Sequence, residues 1–184
     1  MKRIHADYRT IDLLILSILA IACEVTSTVL HQRFINSGFY MSFSYLIVLI
    51  ALIRWKESGV VVSLALTLPL IYYSQNITVG LIIYYILTSG SVIVIPFIME
   101  KIKKVMKQEG YISYGIVFYL VTLLARGIFS FLVGLSPIVA IQQTMLQLNF
   151  SVLISCLVLL LLKNTEGLLV NLADHYKIGK EVVK

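Results

Sequence analysis

A chain of 184 residues that is 59% hydrophobic and only 13% charged has too few polar residues to cover a soluble domain of its size. Its formal net charge of +6 does not indicate nucleic-acid binding, because the basic residues stand at the ends of apolar stretches, where they meet anionic lipid headgroups. The short loops leave no room for a soluble catalytic or ATP-binding domain, so any energy source must come from another subunit.

Six apolar stretches predict an all-α membrane protein with six transmembrane helices in a single transmembrane domain, 1–184. In chain order the predicted spans are 11–30, 39–53, 59–73, 78–98, 112–135 and 137–162. When the chain is threaded through them, all but two of its fifteen Lys and Arg residues fall on one face, while Arg33 lies on the other face and Arg126 lies inside. Because short basic loops are retained in the cytoplasm, both termini are predicted to be cytoplasmic.

The second and third spans are the shortest, at about 15 residues for a hydrocarbon core of about 30 Å. Segment 54–59 between them carries three charged residues that cannot lie in lipid, so a tight cytoplasmic turn is predicted there, with Trp55 at the membrane interface. After the sixth span, the leucine spacing of 164–184 predicts a cytoplasmic amphipathic tail that lies on the membrane surface.

Polar side chains of separate spans converge at one depth. At 1.5 Å per residue, Glu24 lies about 22 Å above Arg9 and Arg126 lies about 22 Å above Tyr111, on two helices that both run outward. Further polar residues lie in the same layer, about 21–24 Å above the cytoplasmic ends of the fourth and sixth spans. They are Tyr85, Gln147 and Asn149. A charge inside a bilayer costs about 3 kcal/mol even on lenient scales, so Glu24 and Arg126 are expected to face the bundle interior.

Two arrangements would satisfy these charges. Glu24 and Arg126 can form a mutual ion pair, or Arg126 can be held open for a ligand carboxylate or phosphate, which its planar guanidinium recognises well. The surrounding polar groups leave a similar choice, because buried amides can hold helices together and tyrosines can belong to an interfacial belt. The candidate substrate-binding residues are Glu24, Arg126, Tyr84, Tyr85, Gln143, Gln147 and Asn149.

Catalytic chemistry is not indicated. The three histidines are spread over both faces of the membrane, and no paired carboxylates or metalloprotease motif appears. Cys23 and Cys156 lie in apolar spans without metal-binding or redox spacing, so we expect neither a disulfide nor a metal site. The expectation is a binding protein without enzymatic activity or cofactor.

Three segments carry a recognisable order of features. Segment 8–25 is a basic lead into a helix with small residues; 39–66 is an apolar helix, a tight turn ending in Gly59 and a small-residue helix; and 149–169 is an apolar helix with a basic exit. This order resembles the substrate-binding S component of energy-coupling factor (ECF) vitamin transporters. The resemblance implies an outward-facing pocket for a vitamin-like small molecule, and a transmembrane coupling subunit and two cytoplasmic ATPases as partners in the plasma membrane of a bacterium.

Docking on the coupling subunit usually involves, in that family, two alanines four residues apart on the first helix. This chain lacks that spacing, and Ser17 and Ala20, small residues on one helical face, are the predicted docking residues instead. The alternative function is a scaffold subunit of cell-envelope or rod-shape machinery, which needs lateral helix contacts and no pocket. A third possibility is a small channel or facilitator that acts alone.

Overall fold

A computed structural model of the protein describes residues 2–33, 40–74, 76–106 and 110–162, together with 169 and 172. Within these residues the chain is helical and contains no strand. In chain order the α-helices are Lys2–Arg33 (α1), Ser44–Trp55 (α2), Val60–Ala65 (α3), Thr67–Tyr72 (α4), Val79–Gly90 (α5), Val94–Met106 (α6), Tyr111–Phe129 (α7) and Pro137–Leu162 (α8). The predicted tail, 164–184, lies outside the described residues except for 169 and 172.

Four helical segments are long and apolar enough to cross a membrane. They are Tyr8–Arg33, Val79–Lys104, Tyr111–Val133 and Pro137–Leu162. A segment of 26 residues, the length of three of them, spans about 39 Å and exceeds a hydrocarbon core of about 30 Å. These segments coincide with the first, fourth, fifth and sixth predicted spans. The prediction of an all-α membrane protein is therefore confirmed at this level for the described residues.

The second and third predicted spans take a different form. Helix α2 has 12 residues, or about 18 Å, which is shorter than a hydrocarbon core of about 30 Å. Nine of these residues are buried, so α2 is enclosed on nearly all sides by the other helices. The third span is divided at Leu66 into α3 and α4, of six residues each. Neither stretch counts among the four candidate membrane spans, and the six-span topology stays a prediction.

Helices α1 and α2 run antiparallel, with polar contacts at both ends of α2. At its beginning, the Ser44 hydroxyl donates to Oε2 of Glu24 at 2.6 Å. At its end, Nε of Arg54 pairs with Oδ2 of Asp12 at 3.2 Å. Asp12 and Glu24 are twelve residues apart on α1, and α2 is twelve residues long, so each acidic residue meets one end of α2. Polar contacts at the two ends fix the register of an otherwise apolar helix.

The predicted tight turn after α2 is confirmed as a 3-10 turn, Lys56–Gly59. Lys56 has a positive φ of 50°, and its ammonium pairs with Oε1 of Glu100 at 3.0 Å. Trp55 was expected at the membrane interface, and its depth in the membrane stays a prediction. Its side chain is buried, and its indole N–H donates to Oδ2 of Asp12. A carboxylate on α1 satisfies the indole, which allows Trp55 to belong to the core.

Helices α7 and α8 pack closely because α7 has a glycine where the two helices meet. A Cβ added to Gly115 would lie 2.1 Å from Sγ of Cys156 and 3.8 Å from its Cβ. The first distance is far below van der Waals contact, whereas the second is ordinary contact. The free Cys156 thiol is therefore a packing group that occupies the space left by the missing side chain of Gly115.

Replacing Gly115 by alanine is expected to lower the free energy of unfolding by about 1–3 kcal/mol, the usual effect of overpacking. Removing the sulfur in the double variant Gly115→Ala/Cys156→Ala should restore much of this loss, because only the sulfur obstructs the new methyl group. The double-mutant cycle consists of wild type, Gly115→Ala, Cys156→Ala and the double variant. Thermal unfolding of these four proteins in detergent gives the coupling free energy between the two positions. A purely additive cycle would contradict the packing described here.

Candidate binding cavity

Glu24 lies on α1 and is only 1% exposed, yet its carboxylate is well satisfied. The Tyr40 hydroxyl donates to Oε1, and the hydroxyls of Ser42 and Ser44 donate to Oε2 at 2.7 and 2.6 Å. Hydrogen bonds to an ionised acceptor are stronger than neutral ones, and three of them offset much of the desolvation of a buried carboxylate. We call Tyr40, Ser42 and Ser44 the hydroxyl cage of Glu24.

The local fold explains how this cage is held. Tyr40 and Ser42 belong to the segment that leads into α2, and Ser44 is the first residue of the helix. The backbone N–H of Ser42 donates to Oγ of Ser151 on α8 at 3.0 Å, which fixes the entry of the chain into α2. These contacts place the carboxylate of Glu24 beside the amino end of α2.

Arg126 on α7 has far fewer partners. Its Nη1 donates to Oε1 of Gln147 on α8 at 3.1 Å. Its Nε is buried and, within the described part of the chain, has no hydrogen-bond partner. The same holds for Oγ1 of Thr122, which lies one helical turn earlier on the same face of α7 and is 6% exposed. Two adjacent buried polar atoms without partners are unusual, because buried polar groups are nearly always hydrogen-bonded.

Glu24 and Arg126 face one cavity of about 30 Å³ in the centre of the bundle. Such a volume holds about two water molecules. Its lining combines polar and apolar side chains from α1, α2, α3, α4, α5, α7 and the connections between them. The lining residues are Glu24, Tyr45, Val48, Ser63, Leu66, Leu70, Thr88, Ser89, Val92, Phe118, Thr122 and Arg126. Within the described residues, no direct ion pair joins Glu24 to Arg126.

The two tyrosines predicted at this depth lie beside the cavity but do not line it. Tyr84 is buried and Tyr85 is half-buried, and their rings meet edge to face with centroids 5.4 Å apart. Both phenols interact electrostatically with the guanidinium of Arg126, and the Tyr45 hydroxyl, which lines the cavity, lies within hydrogen-bonding reach of it. The structure thus groups these tyrosines around Arg126, and a direct ligand contact by Tyr84 or Tyr85 stays a prediction.

The three predicted amides have different surroundings. Oε1 of Gln147 accepts a hydrogen bond from Nη1 of Arg126, and Oδ1 of Asn149 accepts one from the Tyr119 hydroxyl. Gln143 is exposed on the surface of α8. Asn149 and Gln143 do not line the cavity, so of the three only Gln147 is connected to it, through Arg126. Ligand binding by these amides also stays a prediction.

The predicted docking residues on α1, Ser17 and Ala20, offer little exposed surface for a contact with another subunit. Ala20 is 0% exposed and faces the inside of the bundle. Ser17 is half-buried, and its hydroxyl donates to the carbonyl of Leu13 in its own helix at 2.8 Å. A fully buried side chain cannot touch another subunit unless the helices separate, so this conformation does not support docking at Ala20. Ser17 stays a prediction.

The hydropathy and charge patterns of the sequence do not identify the hydroxyl-bearing residues of the site. Ser42, Ser44 and Thr122 stand alone in apolar surroundings, and such residues are common in membrane helices without any role in binding. One signal was present for Thr122, because a hydroxyl four residues before an intramembrane arginine must lie on the same helix face. A comparable signal for Ser42 and Ser44 is their position immediately before the apolar run of α2.

Comparison with known protein families, with characterised proteins and with solved structures gives no match to this chain. Within the described residues, no group of three histidine, cysteine or acidic side chains is placed to hold a metal ion. The function is therefore argued from the cavity and from the arrangement of its charged and polar groups.

Proposed function

We propose that the chain is the substrate-binding membrane subunit of an ECF-type ABC transporter. In this role it captures a vitamin or related small molecule outside the cell and passes it on with a transmembrane coupling subunit and two cytoplasmic ATPases. One observation carries the proposal: Glu24 and Arg126, from separate helices, line one small, partly open cavity, and within the described residues the buried Nε of the guanidinium has no hydrogen-bond partner. A protein that only packs against other helices has no need of such a group, whereas a ligand anion satisfies it.

The proposed topology has six crossings, with both termini in the cytoplasm of a bacterial cell and the chain embedded in the plasma membrane. The distribution of Lys and Arg along the sequence supports it. In this topology α2 and the pair α3 and α4 form a short inner hairpin whose turn, Lys56–Gly59, faces the cytoplasm. Of this hairpin α2 is enclosed, whereas α3 and α4 expose Val61, Leu68 and Tyr72 and share the lipid-facing surface with the four longer segments.

Ligand binding requires the cavity to widen. Pockets for small molecules typically have volumes of about 300–1,000 Å³, and the volume of about 30 Å³ found here holds only about two water molecules. Two lining residues, Leu66 and Leu70, lie at and just after the break between α3 and α4. Leu66 keeps right-handed helical dihedral angles, and its N–H donates to the carbonyl of Ser63 at 3.2 Å, so the chain tightens by one 3-10 turn between α3 and α4. We propose that the cavity widens by a shift of this segment, where the α-helical hydrogen bonding is interrupted.

Replacing Arg126 by alanine is expected to weaken ligand binding by about 10- to 100-fold, which corresponds to the loss of one charge-assisted hydrogen bond. Arg33→Ala is the matched control, because Arg33 is exposed at the end of α1. The measurement is mass spectrometry of small molecules that the purified protein retains from a cell extract. Equal retention by Arg126→Ala and wild type would contradict the assignment of the site.

A second measurement separates transport from the alternatives. Co-expression with a coupling subunit and ATPases should give ATP-dependent uptake into liposomes, whereas solute flux without ATP would indicate a channel. Affinity purification from membranes should recover ATPases. Recovery of cell-wall synthesis proteins in their place, with no retained small molecule, would favour a scaffold.

A further inference from the structure

We infer that the ligand presents a carboxylate to Arg126 and Thr122, and that the cavity selects against phosphorylated compounds. This inference rests on the proposed function of the cavity and names the chemical class of its ligand. It starts from a difference in hydrogen bonding between the two charged residues. Glu24 receives three hydroxyl hydrogen bonds, whereas the buried Nε of Arg126 has no hydrogen-bond partner in the described part of the chain. The guanidinium is therefore the group with an unused donor, and an anionic acceptor is the complementary ligand group.

The edge of the guanidinium that remains open has the geometry for a carboxylate. Nη1 of Arg126 is engaged with Gln147. The open Nε–H points in parallel with an N–H of Nη2, and these two donors form the edge on which carboxylates bind through both oxygens. Oγ1 of Thr122 lines the same cavity one turn away, buried and without a partner. It can donate a further hydrogen bond to the same anion.

Charge decides between a carboxylate and a phosphate. Among the described residues that line this cavity, Arg126 is the one cation and Glu24 the one carboxylate, so their charges already balance. A bound carboxylate leaves the cavity with a net charge of about −1, whereas a phosphate monoester leaves it with about −1.5 to −2 at neutral pH. The additional buried charge of a phosphate would lie without a cation and near Glu24, so the carboxylate is the less costly of the two anions. The chemistry of the cavity therefore favours a monocarboxylate.

The test uses the full-length protein purified in detergent and a protein-free small-molecule extract of bacterial cells. One portion of the extract is treated with methylamine and a carbodiimide, which converts carboxylates into amides. A second portion is treated with phosphatase, and a third receives methylamine alone. We expect the mock-treated and phosphatase-treated portions to raise the Tm of the protein, and the amidated portion to have no effect.

The outcomes separate this inference from the proposed function. A Tm rise that survives amidation, or one that phosphatase abolishes, would overturn the carboxylate assignment and leave the binding function intact. Absence of any Tm rise with the mock-treated extract, together with no retained compound, would contradict the proposed function and this inference with it.

Two matched variants test the role of Thr122. In Thr122→Val a methyl group replaces a buried hydroxyl without a partner, so the ligand-free protein should keep its Tm or gain stability. The extract concentration that gives half of the maximal Tm rise should increase by about tenfold, because one hydrogen bond to the anion is lost. Thr144→Val is the control, because the Thr144 hydroxyl donates to the carbonyl of Ala140 and does not line the cavity. An unchanged dose response in Thr122→Val would overturn the contact.

Discussion

Glu24→Gln is expected to lower the free energy of unfolding by about 2–4 kcal/mol, the range for removing one partner of a buried charged network. The amide keeps the shape of the side chain but offers one acceptor oxygen and an NH₂ group that must donate. The hydroxyls of Ser42 and Ser44 both donate to Oε2 at 2.7 and 2.6 Å, so the NH₂ group would meet two donors at that position. A thermal shift of about 5–15 °C follows for a protein of this size.

The measurement is thermal unfolding in detergent followed by the fluorescence of Trp55, the single tryptophan of the chain. Glu100→Gln is the matched control. Glu100 is 54% exposed and its partner Lys56 is 10% exposed. Because the Glu100 side chain stays in contact with solvent, its neutralisation should cost about 1 kcal/mol, less than the loss of a carboxylate that is buried with three donors. Similar small shifts for the two variants would mean that the hydroxyl cage contributes little to the stability of the bundle.

The second large effect is expected at Gly59 in the turn after α2. A Cβ at this position would lie 2.6 Å from the carbonyl carbon and oxygen of Ala51 and 2.7 Å from the backbone nitrogen of Leu52. These are backbone atoms of the most enclosed helix and cannot rotate away, as a side chain could. Gly59→Ala should therefore cost at least about 3 kcal/mol, the upper range for overpacking, or prevent accumulation of folded protein in the membrane.

Gly90→Ala supplies the comparison for this prediction. Both glycines have right-handed helical dihedral angles, φ −64° for Gly59 and φ −70° for Gly90, so alanine fits both backbones. A Cβ on Gly90 would meet only Cδ2 of Leu64, at 3.9 Å. Gly90→Ala should stabilise the protein by about 0.5–1 kcal/mol, the usual gain of alanine over glycine in a helix. Equal behaviour of the two variants would show that the Gly59 contact is not rigid.

Much of the architecture could be predicted from the sequence because hydropathy and residue counting report on it directly. The rise per residue placed Glu24 and Arg126 at the same depth, and in the structure both line one cavity. The tight turn at Lys56–Gly59 followed from three charges between two apolar runs. These features depend on local composition and on the regular geometry of helices.

Burial inside the bundle could not be predicted in the same way. Lipid and protein interior are both apolar, so the sequence of α2 reads as a membrane span although the helix is enclosed by its neighbours. The same ambiguity applies to Ala20, since small residues suit close contacts inside a bundle and between subunits alike. The partners of Glu24 depend on which helices meet, and their hydroxyl side chains leave little trace in a hydropathy profile.

The contact between Gly115 and Cys156 makes the thiol a natural indicator of helix separation. While α7 and α8 are packed as described, the sulfur fills the space above the glycine, and nothing attached to it could be accommodated there. Cys156 is half-buried, so its sulfur is partly accessible while the helices are packed, and separation of α7 and α8 removes the contact with Gly115 that restricts it. A rise in the rate of alkylation at Cys156 relative to Cys23, which is also free and half-buried, therefore reports opening of the bundle along the α7–α8 seam.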